Sequence, residues 1–230
     1  MMNRLTLSIA ALAAKSDFGE TELVGYYHNE GLYYVMSRIE TSKEADGSRI
    51  KELIVEFCTT IPNGTFGKVS KKEHTELARK VLGQINLDEI SDSFVWKSHS
   101  ALSRPANQSM STLLKLLENF IDPDMTPEKG KAQLELWQKK SAKTLTPKEQ
   151  TVIGGAGSIA RYSLAYWLLN DPATNAPAAA RTKCRDKVHI GFAARDILGG
   201  AMGGLIGFGF GGPTGAVVGA MAGGQLASCA

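Results

Sequence analysis

The chain has 230 residues, 43% of them hydrophobic and 21% charged, with a net charge of +3. That length permits one or two compact domains with a real core, and so small a charge, without a Lys/Arg block, argues against nucleic-acid binding. Cys58, Cys184 and Cys229 are an odd number, which excludes a fully paired disulfide framework, and no CxxC or Cys/His spacing predicts a metal site.

The N-terminus, MMNRLTLSIAALAAKSDFGE, sets Arg4 before an apolar run from Leu5 to Leu12, with small residues at Ala11, Ala13 and Ala14. This minimal secretory pattern predicts an export signal over residues 1–14, with a buried N-terminal helix as the alternative. The run is too short for a transmembrane anchor. An α-helical domain is expected over 15–171. In ETELVGYYHNEGLYYVMSRIE, Leu23, Tyr26, Tyr27, Leu32, Tyr34, Val35 and Ile39 gather on one broad face at helical spacing. The polar residues 43–49 read as a loop, IKELIVEFCTTI as a helix, and PNGTFGKV as a turn-rich connector.

Ser70 and Glu73 have the spacing of a capping box, which predicts a helix start with Leu77, Val81, Leu82 and Ile85 on its inner face. STLLKLLENFI (111–121) reads as another amphipathic helix, broken by DPDMTPEK. Thr126-Pro127 and Thr146-Pro147 each place Pro at a first helical position behind a Thr cap, and Glu149 completes a box at the second. The first predicts a helix through Trp137. The second predicts a long, mostly apolar central helix in which Gly154, Gly155, Ala156, Gly157 and Ala160 permit close approach of a neighbour. Residues 172–190 are Pro/Ala-rich and then basic, a linker by composition. With no β-rich section, the fold class expected is all-α: a helical bundle followed by a glycine-rich hairpin.

In that last segment, 191–230, half of the 24 glycines fall between Gly199 and Gly224, and from Ile197 on there is no charged residue or histidine. Gly199, Gly203, Gly207, Gly211, Gly215, Gly219 and Gly223 form an unbroken four-residue period. Each glycine costs about 1 kcal/mol in a helix interior relative to alanine. The row therefore makes sense where lipid or tight helix packing replaces water, the small-xxx-small logic of membrane helix pairs. Phe210-Gly211-Gly212-Pro213 interrupts the run, and Pro213 suits a first helical position. The prediction is an antiparallel hairpin of two helices, about 195–209 and 213–228, hinged at Gly212 and Pro213. Each arm is shorter than the roughly 20 residues that cross a bilayer. The arms are expected either to enter a membrane or to pack on the domain itself.

No catalytic constellation emerges. Gly207 to Gly212 satisfies the letters GxGxxG, but no strand precedes it and no acid follows to hold a ribose. GTFGKVS departs from the phosphate-loop pattern, since Lys68 is followed by Val69. His28-Asn29-Glu30 gives an H-x-E fragment without a PCxxC partner, so these residues read as core polar groups or a small recognition patch. No cofactor, metal or enzymatic activity is expected.

YHNEGLYYV (27–35) and SIARYSLAYW (158–167), followed by GGPTGAVVGA, resemble a group of uncharacterised exported Bacteroidetes proteins. That group shares HNEGLDYV-like and VARYSxxYW-like segments and a Gly/Ala-rich tail. Tyr33 stands where the group has Asp, and Phe208 and Phe210 interrupt the Gly/Ala monotony. The resemblance implies export and a glycine-zipper tail, and it carries no function. The tail is also locally similar to the GxxxG-rich helices of two-peptide bacteriocins. Taken together, the expectation is a secreted or envelope protein whose zipper hairpin inserts into or permeabilises a lipid membrane, with homo-oligomerisation through the zipper as a further expectation. The alternative is a non-catalytic envelope structural or interaction protein whose hairpin anchors or oligomerises it.

Overall fold

A computed structural model describes residues 21–39, 47–86, 90, 95–119, 127–169 and 183–229. The export signal expected over 1–14 lies outside them. Seven helices and no strand occur among the described residues: α1 (Glu22–Ile39), α2 (Gly47–Cys58), α3 (Lys71–Gln84), α4 (Arg104–Asn119), α5 (Pro127–Thr144), α6 (Pro147–Leu169) and α7 (Lys183–Cys229). The all-α reading holds.

Both capping boxes are present. The Ser70 N–H donates to Glu73 Oε2 at 2.8 Å, and the Glu73 N–H to Ser70 Oγ at 3.3 Å. At α6 the Thr146 N–H donates to Glu149 Oε2 at 3.0 Å, and the Glu149 N–H to Thr146 Oγ1 at 3.4 Å. Glu149 also accepts the Ser103 N–H at 2.7 Å, which ties the start of α4 to the start of α6. Burial alone would raise the pKa of this carboxyl, but the hydrogen bonds from Ser103 and Thr146 outweigh it and hold the pKa at about 2.

Three boundaries differ from expectation. Helix α2 begins at Gly47, so 47–49 are helical and not loop. Helix α4 begins at Arg104, before the expected Ser111, because Asn107 organises the loop ahead of it. Asn107 Oδ1 accepts Trp96 Nε1–H and the His99 N–H, both at 2.8 Å. Residues 183–190, expected in the linker, are already helical. On α3 the inner face is centred on His74, Ala78 and Val81, with Leu77 only half-buried.

The hairpin forms as predicted. Gly211 (φ −146°, ψ 22°) and Gly212 (φ 58°, ψ −142°) break α7 into a first arm, 183–210, and a second arm that starts at Pro213. Gly212 occupies the left-handed region, where glycine carries no steric penalty. Every residue from Gly215 to Ser228 is buried. Val218, Met221 and Leu226 of the second arm join Val24 of α1, Ala78 of α3 and Ile159 of α6 in one core. The hairpin is thus the centre of the bundle, enclosed chiefly by α1, α3 and α6. α3 and α4 turn apolar faces inward and charged or polar faces outward. The central position expected for α6 is shared: all of Val152 to Ala160 is buried against its neighbours. Among the described residues one helix, Gly191–Cys229, is long and apolar enough to cross a membrane, a test that the core helix of a soluble protein also passes.

Candidate functional site

The glycine row does what a ridge without side chains permits. A methyl group on Gly203 would fall under 3.0 Å from the Gly219 carbonyl oxygen, and one on Gly207 equally close to that of Gly215. Gly199 stands in the same relation to Gly223, and each pairing is reciprocal. The obstructing atoms are backbone, which cannot rotate away. Six of the seven predicted glycines therefore meet one another across the hairpin, arm against arm. Gly211 does not. It lies in the turn, where a methyl group would meet the Leu77 side chain at 2.8 Å. The four-residue period continues through it in sequence only, since the chain leaves the helix there.

The neighbouring small residues serve other contacts. A methyl group on Gly200 would strike Ile159, and one on Gly224 would lie 2.7 Å from His28 Cδ2. On α6, a methyl group at Gly155 would stand 3.2 Å from the Ala220 Cβ, while Gly157 receives the Trp137 ring. Of the larger apolar residues on the two arms, Met202, Leu205 and Ile206 are half-buried, while Ile197, Leu198, Val217, Val218, Met221 and Leu226 join the core.

At the open end of the hairpin, α1 and α6 meet both arms around a set of buried polar groups. His28 and Asp196 are both 0% exposed. Asp196 accepts hydrogen bonds from the Ser163 and Ser228 hydroxyls, one on each carboxylate oxygen. His28 Nε2 stands 3.9 Å from Asp196 Oδ2 and 3.4 Å from Ser228 Oγ. On its other side His28 Nδ1 pairs with Asn29 Oδ1 at 2.9 Å, and Asn29 Nδ2 donates to the Tyr162 carbonyl at 2.7 Å. Gln225 Nε2 donates to the Tyr27 and His28 carbonyls at 3.0 and 3.3 Å. Gly31 leaves the space that the Gln225 side chain fills. His28 is therefore a core polar group, and the half-buried Asn29 ties it to α6. Glu30 is separate from this cluster, half-buried, with burial raising its carboxyl above the usual range.

A second set of contacts sews α1 to α6. Ser158 Oγ donates to the Glu22 carbonyl at 2.7 Å and accepts the Gly25 N–H at 2.9 Å. Arg161 pairs with the buried Glu22 carboxylate. Burial, reinforced by the Glu22 charge, pushes the neighbouring Tyr162 hydroxyl up to about 12. The HNEGL-like and ARYS-like stretches thus lie on helices that bind each other.

Ser228, His28 and Asp196 have the residue types of a hydrolytic triad but not its arrangement. The general base must stand between serine and carboxylate, each on its own ring nitrogen. Here both approach Nε2, and Asn29 occupies Nδ1. The three side chains are also closed to solvent, at 0 to 7% exposure. Among the described residues no cluster of His, Cys, Asp or Glu could hold a metal ion. Cys58 and Cys229 carry free thiols.

Comparison of the chain with protein-family models, with curated proteins and with solved structures gives no match, and the site rests on its own geometry. Sequence reading missed Asp196, Ser163, Gln225 and Ser228. Asp196 had one signal: it is the last charged residue before the uncharged run.

Proposed function

We propose that the protein is an exported, non-catalytic, membrane-active protein that carries its hairpin sheathed in a helical bundle and delivers it into a bilayer. The observation that carries this reading is the zipper itself. The arms pair through glycine backbone, so their interface does not depend on the surrounding helices, and the hairpin can leave them as a unit. Within a bilayer its backbone hydrogen bonds stay internal, and from Ile197 onward no charge has to be carried in with it. The amphipathic faces of α3 and α4 suit a sheath. The burial of the second arm from Gly215 to Ser228 favours a second reading, a structural or interaction protein in which the hairpin is core and nothing else.

Locking the hairpin in place separates the two. Gly155 and Ala220 approach closely enough for a disulfide between α6 and the second arm. The full-length Gly155→Cys/Ala220→Cys variant, with Cys184 and Cys229 changed to Ser, is compared oxidised and reduced for dye release from liposomes. Release only after reduction is the expected result. Equal release in both states would mean that the hairpin need not leave the bundle. Absence of release from the reduced variant and from the wild-type chain would leave the structural reading.

A further inference from the structure

The closed end of the hairpin differs from the rest of the core in being open to solvent. Gly209, Phe210 and Pro213 are exposed, and Phe210 is 46% exposed despite its size. Phe208, half-buried, lies under the ammonium of Lys148, whose Nζ stands 5.1 Å from the ring centroid. The turn rests on two further basic segments. Gly211 faces Leu77 of α3, and Gly67 of the 59–70 loop faces Thr214. Lys68 follows Gly67, and Lys71, Lys72, Arg79 and Lys80 are exposed on α3. Of the carboxylates at the helix starts, Glu149 is buried and bound by Thr146 and Ser103, while Glu73 is exposed and held against the helix end by Ser70. Glu76 is the remaining acidic group of α3.

From this placement we infer that the hairpin tip, with Phe208 and Phe210 at its centre and Lys148 and Lys68 at its edge, is a docking surface for an anionic lipid bilayer. The inference rests on the membrane-active reading above and adds to it the point of first contact and the lipid class. Two aromatic side chains on a projecting turn partition into the headgroup region, and lysines beside them are drawn to anionic phosphates. The cation over Phe208 keeps that ring covered in water and meets lipid phosphate when the ring enters. Contact at the tip places the uncharged arms directly behind the lipid surface, so docking and insertion share one axis.

The test is co-sedimentation of the full chain with vesicles of phosphatidylcholine alone and of equal parts phosphatidylcholine and phosphatidylglycerol. Binding to the anionic vesicles is expected, weakening as salt is raised. The Phe208→Ser/Phe210→Ser variant should lose about tenfold or more in affinity, with an unchanged helical circular-dichroism spectrum because neither ring is a fully buried core residue. Lys148→Glu should lose less, and only on anionic vesicles. Undiminished binding by the double serine variant, equal binding to neutral vesicles, or no binding would overturn the docking surface. So would a dimer in sedimentation velocity that the serine substitutions dissolve, since the tip would then serve a second copy. Dye release measured in parallel keeps the two readings apart. Release that persists in the serine variant would sink the docking site alone, whereas tip-dependent binding without release would sink insertion alone.

Discussion

The two ends of the hairpin are built on opposite principles. At the open end, Asp196 and Ser228 are buried and bonded to one another, to Ser163 and to the surroundings of His28. At the closed end, Phe210, Gly209 and Pro213 stand in solvent with no polar tie to the bundle among the described contacts. Polar groups in a low-dielectric interior are directional, and leaving one unmatched is costly, so they fix position. Apolar contact through glycine and methyl groups is less directional and tolerates sliding or release. The same apolar element is thus pinned by buried polar bonds at its base and held by looser packing and a cation–ring contact at its tip. This polarity is what the following substitutions break or sharpen.

The largest effect is expected where both ends depend on the same geometry, in the zipper between them. Gly203→Val places side-chain atoms against the Gly219 backbone, which has no rotamer to yield. A loss of roughly 4 kcal/mol or more, or failure to fold, follows from overpacking a helix pair at backbone contact. Gly209→Ala is the control. Nothing lies within 4 Å of the added methyl group, and removing a helical glycine should raise stability by up to about 1 kcal/mol. Urea unfolding of the two variants decides it, and similar midpoints would show that the arms are not held as described.

At the base, Asp196→Ala deprives the Ser163 and Ser228 hydroxyls of their acceptor and leaves His28 without its nearby carboxylate. Unmatched buried polar groups of this kind cost about 3 kcal/mol in total. The unfolding midpoint should fall accordingly, and dye release should rise if the base is what retains the hairpin. A fall in stability without a change in release would separate anchoring from retention.

How much of this could be read from the sequence depends on the distance over which each signal acts. The two capping boxes and the break at Gly211-Gly212-Pro213 are local chemistry, and each appears where its residues predicted it. The zipper was legible because a four-residue period is a property of one segment, although pairing through the turn left Gly211 outside it. The polar base was not legible. His28 finds Ser228 across 200 positions and Asp196 across the bundle, and no spacing rule connects α1 with the two arms of α7. Helix α4 shows the same limit on a smaller scale. Arg104 to Met110 carry few apolar residues, and their helical state follows from Asn107 bonding the preceding loop and Ser103 meeting Glu149. The half-buried outer face of the first arm was also beyond reach, because composition marks a segment as apolar without saying which side the sheath covers.

The smallest effect concerns the sheath itself and appears only with pH. His74 is 0% exposed on the inner face of α3, neither ring nitrogen has a hydrogen-bond partner, and the Phe66 ring lies 5.7 Å away, edge to face. Desolvation lowers its proton affinity below the ordinary histidine value of 6.5, and the neighbouring Glu73 charge offsets only part of that. The unfolded chain therefore takes up the proton at the higher pH. Stability from the neutral ring is complete above 6.5 and is lost as pH falls through and below that value. His74→Leu keeps an apolar residue of similar bulk and removes the proton site. Its melting temperature should fall less than that of the wild-type chain between about pH 7 and about pH 5. Because α3 covers the hairpin, acid should also promote dye release from the wild-type chain more than from His74→Leu. Parallel pH profiles for the two chains would mean that α3 is not where acid loosens the bundle.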